Sequence, residues 1–162
     1  MKNITTVLVS LVLFLSAIVF PSGVNGAPAY DGGKTFKDVE GKEWILSEVK
    51  SAGKTVRIDR KKLAADNLEG VFTISFQEDR VSGMGAPNRY FGPYTVGSNR
   101  AITPGNMAST MMMAFKEPDE LKESEYFSLL SNVRRWDLRE GKLELYSTGR
   151  NKDETTLVFT LK

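Results

Sequence analysis

Short runs in which apolar and polar residues alternate, separated by short polar turns, constrain this chain more than any other feature. In Val71–Gln77 every second residue from Phe72 onward is apolar, and the same period recurs in Leu143–Ser147 and Thr155–Leu161. A period of two is typical of half-buried β-strands. Short polar loops between adjacent strands favour antiparallel pairing. Further strands are predicted at Glu43–Val49, Lys54–Asp59 and Trp136–Leu138.

Pro118–Val133 is the one stretch with a clear helical period. Its apolar residues repeat at i, i+3, i+4 and i+7, beginning at Tyr126. Pro118 occupies a favoured first-turn position, and the acidic residues Asp119 and Glu120 follow where the helix dipole favours them. Arg60–Asn67 is a possible additional helical turn. We therefore predict an α+β domain that is mostly antiparallel β: a curved meander forming a partly open barrel with one packed helix.

Glycine and proline interrupt the middle of the chain. Val81–Thr95 is predicted to turn sharply around Gly85–Asn88 and to continue as a strand from Arg89. Asn106–Phe115 follows a turn signal and fits a short helix or a strand. We interpret it as a strand.

The N-terminal region has the pattern of a secretory signal peptide. Lys2 precedes Val7–Phe20, an apolar run shorter than the roughly 18–20 residues that span a bilayer. Small residues follow, with cleavage favoured before Ala27 and a second possible site before Tyr30. We predict a signal peptide at 1–26, a flexible segment at 27–42 and the domain at 43–162. The mature protein is then exported, periplasmic or secreted, without a stable membrane anchor; an uncleaved tether is the alternative.

The chain contains neither cysteine nor histidine. Disulfides, thiolate or imidazole metal sites and Ser-His or Cys-His catalysis are therefore excluded. The formal net charge of +2 gives no strong field for nucleic acid. We predict no nucleic-acid partner, no cofactor, no metal and no enzymatic activity.

Two distinctive motifs and three flanking strands follow one another along the sequence. The motifs are Ser82–Tyr94, read as SGMGAPNRYFGPY, and Met107–Met112, read as MASTMM. A Trp-x-Leu strand precedes them at Trp44–Leu46, and the strands Trp136–Leu138 and Leu143–Leu145 follow them. In these motifs and in their order the sequence resembles the META-domain family of HslJ-like proteins.

The resemblance covers about residues 42–161 and implies a mostly antiparallel, HslJ-like domain with one helix. It implies heat-shock and stress-tolerance, motility or virulence roles in the cell envelope, with no established catalytic residues. Many members have Gly-Cys-Asn where this chain has Gly85–Asn88, and a second Cys where Ala114 stands. A thiol-based redox role is therefore excluded here.

The motif residues are the candidate binding residues, and they have a recognition and a structural interpretation. In the recognition interpretation, Arg89 binds a carboxylate or phosphate of a ligand and the flat face of the Tyr90 ring contacts that ligand. In the second, which is favoured, Asn88 suits the turn, Tyr90 and Tyr94 pack inside, and Arg89 caps turn carbonyls. The candidates are Gly85, Asn88, Arg89, Tyr90, Gly92, Tyr94, Met107, Ser109, Thr110 and Met112.

The remaining clusters also have more than one interpretation. The methionines at 107 and 111–113 are expected to fill the core, with an apolar ligand cavity or a copper(I) site as alternatives. The acidic residues Asp119, Glu120, Glu123 and Glu125 are expected on a solvated helix face, with paired acid/base carboxylates of a hydrolase as the alternative. The basic residues Lys50, Lys54, Arg57, Arg60, Lys61 and Lys62 form either an ordinary charge asymmetry or a site for an anionic partner.

Together these observations predict a non-catalytic exported domain that binds an envelope protein or a small hydrophobic ligand, in stress tolerance or virulence. The alternative is an envelope structural or assembly factor, resembling the pilot proteins of secretion systems, in which a barrel groove takes a peptide.

Overall fold

The computed structural model describes residues 33–114, 116–149 and 153–162. The predicted signal peptide and the first residues of the segment after it lie outside the described residues. None of the helices in these three ranges is long and apolar enough to cross a membrane.

In the described ranges, two α-helices and a 3-10 helix accompany the strands. The 3-10 helix is Phe36–Asp38, and the α-helices are α1 (Arg60–Ala65) and α2 (Glu123–Ser131). The strands are β1 (Glu43–Ser51), β2 (Lys54–Arg57), β3 (Thr73–Gln77), β4 (Arg80–Met84), β5 (Arg89–Val96), β6 (Ile102–Pro104), β7 (Ala108–Ser109), β8 (Val133–Arg139), β9 (Lys142–Thr148) and β10 (Glu154–Leu161).

The strands form one antiparallel sheet in the order β6-β5-β4-β3-β1-β10-β9-β8, with β2 added to β1 and β7 to β5. The two ends of this order meet at a bridge between Ala101 and Arg135. Beside it, Arg100 forms an ion pair with Asp137, and the Arg100 carbonyl accepts a 3.0 Å hydrogen bond from the Trp136 amide. The sheet is therefore a nearly closed barrel, which confirms the predicted α+β class and its antiparallel character.

The apolar residues of the predicted alternating strands fill the barrel interior. Ile74 and Phe76 of β3, Leu143 of β9 and Phe159 of β10 are all buried. The space among these apolar side chains that is bounded in part by Tyr94, β3 and β9 has a volume of about 10 Å³. That is close to the minimum that one water molecule needs.

The packed part of the chain begins earlier than predicted. Phe36 and Val39 lie in the segment expected to be flexible, yet both are buried. The Phe36 ring contacts Trp136 edge-on at 5.0 Å, and the Trp44 indole N–H donates to the Val39 carbonyl at 3.1 Å. Two large apolar side chains in a Gly-rich stretch are enough to anchor it to the core.

The predicted helix at Pro118–Val133 is too long at both ends. Helix α2 begins at Glu123, because the backbone of Lys122 before it is extended, with φ -81° and ψ 147°. Asp119, in the predicted first turn, forms a 2.5 Å ion pair with Lys62 of α1. It ends at Ser131, because Val133 pairs with Ser147 as the first residue of β8.

The strand predicted at Asn106–Phe115 is also wrong in most of its length. Only Ala108–Ser109 pairs, with Phe91 and Tyr90 of β5. Residues 110–114 are not in a strand. Phe115 itself lies outside the described residues.

Candidate functional site

The first motif is organised by the carboxylate of Glu123. Its Oε1 accepts hydrogen bonds from the backbone amides of Ala86 and Asn88, both at 2.6 Å. Its Oε2 accepts from Asn88 Nδ2 at 2.7 Å. The expected solvated position is therefore wrong for Glu123, which binds the turn from the first residue of α2.

The second motif is held by the buried side chain of Asn88. Asn88 Oδ1 accepts from Thr110 Oγ1 at 2.8 Å and from the Met112 amide at 2.6 Å, while Nδ2 also donates to the Met112 carbonyl at 3.2 Å. An amide side chain offers two acceptor positions and two donors. With Glu123 these bonds use all four, so Asn88 joins the two motifs and has no capacity left for a ligand.

Tyr90 and Tyr94 lie inside the barrel, as the structural interpretation predicts. The Tyr90 hydroxyl donates to the Thr73 carbonyl at 2.9 Å, and the Tyr126 hydroxyl donates to the same oxygen at 3.1 Å. Burial raises the pKa of the Tyr90 and Tyr126 hydroxyls above the ordinary tyrosine value. The Tyr94 hydroxyl donates to Glu40 Oε1 at 2.8 Å. Tyr90 offers no face to a ligand.

Gly85 and Gly92 are required for close packing. A Cβ on Gly85 would lie 2.5 Å from Glu123 Oε1 and 2.7 Å from Cζ of Phe127. A Cβ on Gly92 would lie 2.9 Å from the Asn106 carbonyl oxygen. All three distances are shorter than real Cβ contacts, so these glycines let α2 and the second motif approach β4 and β5.

Arg89 is exposed, and only its backbone takes part in the motif. Its amide donates to Thr110 Oγ1 at 3.2 Å, and its carbonyl accepts from the Thr110 amide at 3.0 Å. Within the described ranges its guanidinium has no hydrogen-bond or ion-pair partner, so the expected capping of turn carbonyls is wrong. Ser109 is exposed on β7 and pairs with Tyr90.

The expectation that the methionines fill the core is wrong for Met111, Met112 and Met113. Their side chains are 98%, 60% and 95% exposed, respectively. Met107 differs from them, since it is partly buried against the core. We call Met111–Met113 the methionine loop: it carries apolar side chains in water, while its central peptide is fixed to Asn88.

A shallow groove of about 690 Å³ lies on the outer face of β3, β4 and β5. We call it the outer groove. Phe91 is 49% exposed in it, and the Arg80 guanidinium lies over the Phe91 ring at 5.5 Å from its centroid. Arg89 also lines this groove, and its backbone bonds to Thr110 place the groove next to the methionine loop.

The other charged clusters do not form sites of their own. Lys50 and Arg57 of the basic stretch pair with Glu48, each at 3.5 Å, and Lys62 pairs with Asp119. Their neighbour Arg60 donates to the Leu46 and Val71 carbonyls, and burial lowers its pKa to about 10. In the described part of the chain no group of three or more acidic, cysteine or histidine side chains is placed to hold a metal.

Three of the site residues were missed in the sequence: Glu123, Phe91 and Arg80. A signal for Glu123 was present, since it stands three residues before Tyr126 and seven before Leu130, on the apolar stripe of the helix. Phe91 alternates with the inward-facing Tyr90, which places an apolar side chain on the outer face.

A family model described as META domain matches residues 37–162. No curated protein matches the chain significantly. The NMR structure of a protein from Burkholderia xenovorans is 21% identical and superposes with a TM-score of 0.56, covering 86% of this chain and 99% of that one. The crystal structure of a DUF4847 family protein from Bacteroides vulgatus is 14% identical, with a TM-score of 0.51 and coverages of 77% and 95%. At these identities the similarity establishes the fold alone.

Proposed function

Because this chain belongs to the META domain family, we propose that it is an exported, non-catalytic binding domain that docks onto a protein of the cell envelope through the methionine loop. A role in stress tolerance or virulence, which the family resemblance implies, then follows from the complex that the domain forms.

One observation carries this proposal: Met111 and Met113 are almost fully exposed although the peptide between them is fixed by Asn88. Ordering a loop on binding costs free energy, and a loop that is already held in place avoids part of that cost. Methionine side chains are flexible and polarisable, which suits them to binding surfaces of varied shape. The loop therefore combines a fixed backbone with adaptable apolar side chains.

The neighbouring outer groove supports a protein partner. Arg89 and Arg80 project there with Phe91 between them. Arginine, methionine and aromatic residues are enriched at protein–protein interfaces. The two guanidinium groups favour a partner that presents carboxylates beside an apolar patch.

The filled interior argues against a hydrophobic ligand inside the barrel. A space of about 10 Å³ is far smaller than the roughly 300 Å³ of the smallest usual ligand pockets. It argues equally against a peptide inside the barrel.

An envelope assembly factor remains the second candidate, supported by the outer groove. This groove is open and large enough for an extended segment of a client protein. In that case the contact is centred on Ser82, in the middle of the groove, and not on Met113.

Site-specific photocrosslinking in intact cells tests both docking through the methionine loop and the assembly-factor alternative. A photoreactive phenylalanine analogue replaces Met113, Ser82 or, as a control, the exposed Lys61 of α1. We expect one crosslinked protein from position 113 that is absent from position 61. Arg89→Glu is expected to reduce this product strongly, whereas Lys61→Glu leaves it unchanged. A product from position 82 alone supports the assembly factor, and identical products from all positions, or none, contradict the proposal.

A further inference from the structure

We propose that Met111 and Met113 are a reversible oxidation site, at which hydrogen peroxide converts the thioethers to sulfoxides and so weakens docking. The oxidation site stands on the structure alone, and its effect on docking rests on the proposed function.

Met111 and Met113 are the most exposed methionines among the described residues. Met84 is half-buried in β4, and Met107 is partly buried against the core. The whole chain contains six methionines and no cysteine. Because thiols are absent, a mild two-electron oxidant meets thioethers first.

The chemistry needs only the oxidant. A thioether sulfur attacks one oxygen of hydrogen peroxide, an S–O bond forms, the O–O bond breaks, and water leaves after proton transfer. Methionine loses two electrons and peroxide gains them. Methionine sulfoxide reductases return the sulfoxide to the thioether with two electrons and two protons from a pair of thiols, which become a disulfide while water leaves, so the change is not permanent damage.

The location of the loop lets the fold survive this oxidation. A sulfoxide on Met111 or Met113 projects into water and creates no buried polar group. The backbone contacts to Asn88 involve the amide and carbonyl of Met112, and these atoms are unchanged by oxidation. A sulfoxide on Met107 would instead place a polar oxygen against the core, which costs free energy.

The expected effect on docking follows from polarity. A sulfoxide is strongly hydrated, and burying it in an apolar contact requires removal of that water. Oxidation at both positions therefore turns the apolar loop into a polar one without moving its backbone.

Peptide mass mapping after timed exposure of the mature protein to hydrogen peroxide tests the site. We expect Met111 and Met113 to be oxidised about tenfold faster than Met107 in the folded protein, and at similar rates in urea, where exposure is equal. Thermal unfolding of the protein oxidised only in the loop is expected to match that of the untreated protein. Oxidation of Met107 or Met84 at the same rate as the loop would overturn the assignment.

The effect on docking is tested by repeating, after peroxide treatment, the crosslinking at Met113, or at Ser82 where position 82 captures the same partner as position 113. With the photoreactive residue at position 82, the loop variant combines Met111→Leu, Met112→Leu and Met113→Leu. With the photoreactive residue at position 113, Met113 is already replaced, so the loop variant combines Met111→Leu and Met112→Leu. Leucine keeps the loop apolar and cannot be oxidised, so we expect the variant to crosslink with or without peroxide, and the unmodified loop only without it. If peroxide lowers the crosslinking of both proteins equally, or if the sulfoxide form crosslinks fully, the proposed effect of oxidation on docking is overturned. Selective oxidation with no partner captured at any position retains the oxidation site and removes the proposed function.

Discussion

Replacing Glu123 with glutamine tests whether one carboxylate sets the conformation of the motif that presents the methionine loop. The wild-type side chain accepts hydrogen bonds from the Ala86 and Asn88 amides and from Asn88 Nδ2. Glutamine has nearly the same shape, so the change removes the charge and one acceptor and leaves the volume intact.

The expected loss follows from counting these bonds. The glutamine oxygen can still accept from both backbone amides, but losing the charge weakens each bond by about 1 kcal/mol. The glutamine NH₂ then faces the Asn88 NH₂, two donors that cannot bond, and the lost bond costs about 1–2 kcal/mol more. Because Glu123 is only partly buried, we take the lower end and expect Glu123→Gln to reduce the free energy of unfolding by about 3 kcal/mol.

Urea unfolding followed by the fluorescence of the buried Trp44 and Trp136 measures this loss. The matched control is Glu125→Gln, an exposed position on the same helix, for which we expect a change within about 0.5 kcal/mol. The single variant Asn88→Asp places a second carboxylate beside that of Glu123, and the two repel each other. Adding Glu123→Gln supplies an NH₂ group that can donate to the new carboxylate. The double variant is therefore expected to be more stable than Asn88→Asp alone. A Glu123→Gln variant as stable as the Glu125 control would refute the reasoning.

Three further results are expected. Gly85→Ala forces a Cβ against the side chains of α2 and is expected to cost about 2 kcal/mol in urea unfolding, whereas Gly70→Ala, with open space at its Cβ, is expected to be nearly neutral. Tyr90→Phe and Tyr126→Phe each leave one donor to the Thr73 carbonyl, so the double variant is expected to lose about 1 kcal/mol more than the sum of the single losses; additive losses would contradict a shared acceptor. Because burial raises the pKa of both tyrosines, the stability that they contribute is complete below the unfolded-state pKa of about 10 and falls as the pH rises above it. The urea midpoint should therefore decline from about pH 10 upward, and the absorbance of ionised tyrosine should appear together with unfolding.

Strands and buried residues could be predicted from the sequence where the pattern of neighbouring residues determines them. Alternation in β3 and β10 follows from one face being buried, and neighbouring residues record that directly. The burial of Tyr90 and Tyr94 follows from the same period in β5.

Features that depend on distant partners were not predictable in the same way. The first turn expected at Pro118 is absent: Leu121 is buried in the core and Lys122 is extended, so the helix begins only at Glu123. The methionine loop was expected inside because apolar residues usually are. Its position is instead set by hydrogen bonds from Asn88 to the backbone of Met112, which apolar periodicity does not record.

The seam between β6 and β8 affects how this cysteine-free domain avoids aggregation. An unpaired strand edge is a template onto which other chains can add strands. Here the two edges cover each other through the Ala101–Arg135 bridge and the ion pair of Arg100 with Asp137. Opening this seam would uncover two edges at once, so damage that separates β6 from β8 should produce self-association before the core unfolds.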